Sequence, residues 1–309
     1  MKDFFERLNA LRKPNRSDII EKDFHLHRLL YEISQDDYLK ENLIFKGGTC
    51  LLKAYLGYYR FSEDIDFTWK KIDIWKNRNK TTTTRLCSIE ITKLVNRFKS
   101  ISDSLDLDFN GDKRNADEVH ISSGGRMVQF FPGYRSDILE ILSRIKIEIN
   151  FVDTMFYPPR DMQLKSYIEH TNSEELRFLY EDLWKDYDKR IDFACYDPKE
   201  IFIEKCRASM TRKVHKLRDI IDLYYIEKQY GYHILDYRHE VKKKVKFMLD
   251  LYKRYQENID ICQLLSTDIM DNEEMKLMIV TPPKDLKREI TRINNQLLQV
   301  RKDLFNELN

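Results

Sequence analysis

Long hydrophobic runs are missing from this chain. No stretch approaches the roughly eighteen consecutive apolar residues that a membrane-spanning helix needs. Net charge is nearly missing too. Lys and Arg number 54 against 52 Asp and Glu, a formal +2, so nothing in the overall balance draws the protein to nucleic acid, and any such contact must come from local patches. Cysteine is sparse: Cys50, Cys87, Cys195, Cys206 and Cys262 are odd in number and never spaced Cys-x-x-Cys, which argues for reduced thiols and against a zinc knuckle. The first residues, Met1 to Arg7, carry acids early and lack the apolar core of a signal peptide. These absences point to the cytoplasm and away from membranes. What is present, 309 residues with 42% apolar content, suffices for two domains and a substantial core.

One stretch organises the rest. Leu43, Ile44 and Phe45 form a short apolar run, Lys46 follows, and Gly47-Gly48 lets the backbone turn tightly while a ligand comes close. Thr49 is placed to cap a helix containing Leu51, Leu52, Ala54 and Tyr55. Free N–H groups at such a helix start attract phosphate, and Lys46 and Lys53 add positive charge. After a short bridge comes Arg60-Phe61-Ser62-Glu63-Asp64-Ile65-Asp66-Phe67. Read as a strand, it puts Asp64 and Asp66 on one face and Ile65 and Phe67 on the other. Two neighbouring carboxylates repel unless something positive lies between them; a hard divalent cation with oxygen ligands meets the need, and Mg²⁺ fits best. A lone Asp-x-Asp also occurs in glycosyltransferases and on ordinary surfaces. The composite of turn, basic flanks and paired aspartates is the informative signal.

That composite resembles the signature of polymerase-beta-like nucleotidyltransferases, and more narrowly the AbiEii-type toxins of prokaryotic toxin–antitoxin and abortive-infection systems. The resemblance implies a nucleotide site at Lys46, Gly47, Gly48, Thr49, Arg60 and Ser62, with Asp64 and Asp66 as catalytic metal ligands. It also implies a third carboxylate from a later strand. Ile145, Ile147, Ile149 and Phe151 share one face of such a strand, leaving Lys146, Glu148 and Asn150 on the other. Glu148 sits where the resemblance places the third ligand, with Asp153 as the alternative.

Elsewhere the chain divides by periodicity. Residues 1 to 40 read as helical, with Ser17 as an N-cap supported by Glu21, and His25 and His27 as ordinary helix residues. Thr81 to Thr84 offer caps for a helix that includes Leu86, Leu94 and Phe98, after a polar connection containing Trp69 and Trp75. From Leu105 to Phe151 the pattern alternates, and Gly124-Gly125 reads as a hairpin turn. A boundary near Tyr196 gives a first domain over 1–195 and a second over 196–309. The expectation is an α+β protein: a polymerase-beta-like nucleotidyltransferase domain with a mixed sheet, followed by an α-helical bundle that closes the cleft.

In the second half, Glu204-Lys205 and Arg218-Asp219 with Asp222-Leu223-Tyr224 again resemble the AbiEii-type family. The resemblance implies that Lys205 contacts nucleotide phosphate, that Arg218 and Asp219 assist, and that Asp222 helps complete the catalytic set. On one straight helix Lys205 and Asp219 would stand about 21 Å apart, so a break between Thr211 and Lys216 is expected. Lys242-Lys243-Lys244-Val245-Lys246 reads as a solvated helix face or as a contact for RNA phosphates. A last helical stripe from Leu286 to Phe305 reads as bundle packing or a docking face for a partner protein. The function expected is metal-dependent transfer of a nucleotide from a nucleoside triphosphate to an acceptor hydroxyl. The resemblance makes transfer RNA the leading acceptor and a cognate antitoxin the cellular partner. The alternatives are a non-catalytic RNA- or protein-binding module on the same fold, and transfer from a nucleotide sugar.

Overall fold

The computed structural model describes residues 1–12, 16–71, 78–169, 171–213, 216–261 and 273–308. Trp75 and Cys262, both singled out from the sequence, lie outside them. The chain divides into two compact units, one made of Met1–Asp153 with Pro159–Tyr196 and the other of Thr154–Pro158 with Asp197–Asn309.

The first unit begins with helices α1 (Lys2–Arg12), α2 (Ser17–Gln35) and α3 (Asp37–Asn42) and enters the sheet at β1 (Leu43–Lys46). A short helix α4 (Gly47–Cys50) runs on into a π-helical turn, Leu51–Leu56, and β2 (Asp64–Trp69) returns beside β1. Then come α5 (Lys80–Ser104), β3 (Val119–Ser122), β4 (Met127–Phe130), β5 (Gly133–Arg135), β6 (Leu142–Arg144), β7 (Lys146–Asn150), β8 (Arg160–Leu164), α6 (Glu174–Leu179), α7 (Glu181–Tyr187) and β9 (Ile191–Cys195). Seven strands form one mixed sheet in the order β3-β4-β7-β2-β1-β9-β8, while β5 and β6 pair separately. The pairs β2–β7 and β1–β9 are parallel, and the rest of the main sheet is antiparallel.

Alternation in β2 and β7 sends Ile65, Phe67, Ile147 and Ile149 into a fully buried layer. Phe67 contacts Phe45 and Phe193 there, with ring centroids 5.5 and 5.6 Å apart. Phe98 of α5 meets Phe130 of β4 at 4.7 Å. Burying aromatic and β-branched faces of this kind supplies most of what holds a sheet to its helices. The hairpin expected around Gly124-Gly125 is present, as the turn between antiparallel β3 and β4.

Several local expectations are corrected. Asn79, not a threonine, caps α5: its side chain accepts from the Thr82 N–H at 2.8 Å. Ser17 is the first residue inside α2, and Arg16 occupies the cap position. Glu21 is fully buried and accepts from the Ser136 hydroxyl at 2.5 Å and the Asp137 N–H at 2.6 Å, so it anchors a distant loop instead of its own helix start. Leu105 to Phe109 form no named strand; Asp108 makes one isolated bridge to Gly133. Trp69 is the buried last residue of β2, not part of a polar connection.

The second unit contains α8 (Pro198–Thr211), α9 (Leu217–Tyr230), α10 (Arg238–Leu251), α11 (Lys253–Ile261) and α12 (Leu286–Leu308). Helix α8 starts with Asp197 accepting from the Lys199 N–H and with Pro198 in its first turn, where a missing N–H costs nothing. It packs against α9 and α10, and α9 packs against α12. Ile290, Ile293, Leu297, Val300 and Leu304 form the buried stripe of α12.

The basic run on α10 is neither a solvated face nor a bare phosphate-binding strip. Lys244 is fully buried, 2.5 Å from Glu200, 3.5 Å from Glu204, and donating to the Thr154 carbonyl at 2.9 Å. Lys242 and Lys246 both pair with Glu307 of α12, and Lys243 alone of the four lysines is exposed. Glu200 in turn accepts from the N–H groups of Phe156 and Tyr157, tying 154–158 to this unit.

Candidate active site

Both positions of the glycine turn are closed to a Cβ by three side chains packed directly against them. Gly47 has φ +79°, a left-handed conformation that L side chains avoid, and a Cβ there would stand 2.3 Å from an Asp66 carboxylate oxygen. A Cβ on Gly48 would meet the Arg60 guanidinium at 2.7 Å and the Ser62 hydroxyl oxygen at 3.0 Å. The turn therefore brings Lys46, Gly47, Gly48, Arg60, Ser62 and Asp66 together in one place. Thr49 is inside α4 and not its cap: its hydroxyl donates to the Asp64 carbonyl, fastening the turn to the start of β2. Arg60 is 1% exposed and donates to the Phe61 carbonyl at 2.6 Å, while Ser62 is half-buried.

The carboxylates come from neighbouring strands in parallel register. Asp64 lies opposite Lys146, and Asp66 opposite Glu148, so all four side chains occupy one face of the sheet. Lys146 Nζ stands 3.2 Å from Asp64 Oδ2 and 3.8 Å from Glu148 Oε2. Gln129 on β4, paired with Glu148 across the other edge, donates to the same Glu148 oxygen at 2.7 Å. Asp66 has no comparable ion pair within 4 Å among those described. Burial first, then the charge of Glu148, pushes its carboxyl up to about 6. For Lys146, burial works against the ammonium, but Asp64, Asp66 and Glu148 outweigh it and hold it above its ordinary range.

Lys46 sits opposite Asp66 in the β1–β2 register and reaches Asp153 Oδ2 at 3.0 Å. Asp153 also accepts from Tyr196 at 2.6 Å and lies buried. Between the two candidates for a third carboxylate, Glu148 is the one directly across from Asp66, whereas Asp153 is engaged with Lys46 and Tyr196.

The donor set is hard oxygen throughout, and Asp66 is a carboxylate under repulsion, which is the chemistry a divalent cation relieves. In this arrangement Lys146 holds the position between Asp64 and Glu148, and no group of three or more His, Cys, Asp or Glu among the described residues is gathered as a metal cage. Their oxygens are the donor type such an ion takes, and the Lys146 ammonium lies between two of them.

A second charged cluster belongs to the helical unit. Helix α8 ends at Thr211 and α9 begins at Leu217, and the break folds Asp219 and Asp222 back onto Lys205. Lys205 Nζ is 2.7 Å from Asp219 Oδ1 and 2.6 Å from Asp222 Oδ2. Arg212 also pairs with Asp219. Burial opposes the Asp219 charge, but Lys205 and Arg212 overcome it and hold the carboxyl well below its usual range. Arg218 makes its ion pair with Glu274, 3.5 Å away, and reaches Asp219 only through its charge.

Sequence reasoning missed Lys146 and Arg212. Arg212 lies within the expected helix break between Thr211 and Lys216. Lys146 shared the polar face of Glu148, and only the register against Asp64 distinguishes it from a surface lysine.

Among curated proteins, none matches this chain. Among the solved structures that resemble it loosely are two from Helicobacter pylori. One is JHP933 from Helicobacter pylori, at 17% identity, covering 94% of this chain and 95% of that one with a TM-score of 0.44. The other is a protein from H. pylori described as a putative nucleotidyltransferase, at 18% identity, 94% and 98% coverage and the same TM-score of 0.44. Superpositions this loose carry no weight in the assignment. A family model does: the one described as nucleotidyl transferase AbiEii toxin, type IV toxin–antitoxin system, matches residues 28–302. Its span takes in the glycine turn, both aspartates, Glu148 and the Lys205 cluster, and the chain thus belongs to the AbiEii nucleotidyl transferase toxin family.

Proposed function

We propose that the protein is a metal-dependent nucleotidyltransferase that moves a nucleoside monophosphate from a triphosphate to an acceptor hydroxyl, acting as the toxin of a toxin–antitoxin pair. The observation that carries this reading is Asp66. It is pressed against the φ-positive Gly47 and faces Glu148 across parallel strands, so a carboxylate held above its ordinary range lies beside a backbone turn suited to phosphate. Asp64, Asp66 and Glu148 are the residues that would hold Mg²⁺. When bound, the ion supplies charge neutralisation for the triphosphate and for the oxygen that attacks it.

The chain's own groups do the rest. Backbone N–H groups of the Gly47-Gly48 turn orient the triphosphate. One carboxylate of the acidic face accepts the proton of the acceptor hydroxyl as its oxygen bonds to the α-phosphorus. The α–β bridging bond breaks, and pyrophosphate leaves. Lys205, whose ammonium is held by Asp219 and Asp222, is the further residue that the family resemblance proposes as a phosphate ligand. An RNA is the proposed acceptor, transfer RNA first, and a cognate antitoxin the proposed partner.

The test is transfer of label from α-labelled nucleoside triphosphates to total RNA, followed by mass spectrometry of the transfer RNA fraction. Asp66→Ala abolishes transfer while leaving the fold intact. Full activity in that variant overturns the mechanism. Absence of Mg²⁺-dependent nucleotide binding by calorimetry leaves a non-catalytic binding module on this fold.

A further inference from the structure

Lys146 is a feature of the acidic face that the proposed reaction does not use. It comes from β7, two residues before Glu148, and the parallel register sets it directly opposite Asp64. Its ammonium lies 3.2 Å from Asp64 Oδ2 and 3.8 Å from Glu148 Oε2, in the space between the carboxylates assigned above to a cation. The side chain is tethered and long enough to swing clear, and its exposure of 29% leaves room on the solvent side. Gln129 keeps Glu148 in place from the opposite flank, so moving Lys146 need not disturb the carboxylate.

We propose that Lys146 is a positioning residue that stands in for the metal: it keeps Asp64 and Glu148 together in the metal-free protein and must withdraw before a divalent cation binds. This rests on the nucleotidyltransferase reading of the same face. One ammonium between two carboxylates offsets part of the negative charge that attracts the ion and occupies its place, so the protein without nucleotide binds divalent metal more weakly than it would without Lys146. A triphosphate reverses the balance, because it brings its own oxygen ligands for the metal and offers Lys146 a new anion to accompany. Metal and nucleotide therefore load together, and free Mg²⁺ alone does not fill the site.

The experiment is titration of the intact protein with Mn²⁺, followed by electron paramagnetic resonance, without nucleotide, for wild type, Lys146→Met and Lys146→Arg, each also carrying Asp66→Asn as a control. Lys146→Met is expected to bind Mn²⁺ about tenfold or more tighter than wild type, because a positive charge has left the ligand cluster. Lys146→Arg, which keeps the charge, stays as weak as wild type. Thermal melts of the same samples guard against misfolding: Lys146→Met melts lower than wild type without metal and recovers when Mn²⁺ is added. If binding depends on Asp66 but Lys146→Met binds no tighter than wild type, the stand-in role is wrong while the metal reading survives. If no variant binds Mn²⁺, alone or with a nucleoside triphosphate, both fall.

Discussion

Replacing Asp66 by Asn should make the metal-free protein more stable at neutral and alkaline pH, an unusual outcome for a residue at the centre of a proposed active site. Its carboxyl is raised from 3.8 to about 6 by burial and by Glu148. A carboxyl raised in the folded state favours folding while it is protonated, below about pH 4, and that contribution is lost as pH rises through about 6. Above that point the wild type carries an ionised group that the fold disfavours, worth at most about 3 kcal/mol from the size of the change. Asn keeps the shape without the charge. Lys146 draws part of its own stabilisation from Asp66, which trims the gain, so about 1–3 kcal/mol is expected. For a unit of this size each kcal/mol corresponds to about 2–4 °C in melting temperature. The assay is thermal or denaturant unfolding of both proteins in chelator at pH 4, 6 and 8. The advantage of Asp66→Asn should be largest at pH 8 and vanish near pH 4. Added Mg²⁺ with nucleotide should then stabilise the wild type and leave the variant unchanged. An Asn variant less stable than wild type at pH 8, or an advantage that ignores pH, refutes the picture of a strained carboxylate awaiting a cation.

The buried ion clusters of the helical unit give two further outcomes. Lys205→Met leaves Asp219 and Asp222 buried without their ammonium and should cost about 3–5 kcal/mol in denaturant unfolding, with part of the loss restored by adding Asp222→Asn; no restoration would argue against charge as the cause. Lys244→Met strands Glu200 in the same way, with a comparable loss and faster proteolysis within 154–158, whereas exposed Lys243→Ala stays within about 0.5 kcal/mol of wild type by the same unfolding assay.

What could be read from the sequence was whatever is local or strictly periodic. The strand, glycine turn, helix and second strand from Leu43 to Trp69 follow one another in the chain, so their order needed no tertiary knowledge. The alternation of β7 separated Glu148 from its buried isoleucines, and once the family resemblance put Lys205 and Asp219 in one site, the distance along a straight helix called for the break that brings them together. Hydroxyl caps were misjudged at Ser17, Thr49 and Thr81 to Thr84, because a cap depends on which residue leaves helical geometry, and several candidates stood side by side. The α10 lysines were misread for another reason. Their partners, Glu200 and Glu307, come from other helices, and no spacing rule within one helix reveals them. Lys146 belongs to the same class, since its meaning comes from a parallel pairing between distant segments.

That pairing has a consequence for the order in which the protein is made. A ribosome delivers β1 and β2 early, and with them the glycine turn and both aspartates, but Glu148 arrives only with β7, and the β9 that flanks β1 arrives later still. Contacts between segments so far apart in the chain form late, after the loop between them has closed. A nascent chain therefore carries half of an acidic face with nothing to complete it. For a protein whose finished form is proposed to act on RNA, the topology defers completion of the acidic face until β7 has been made.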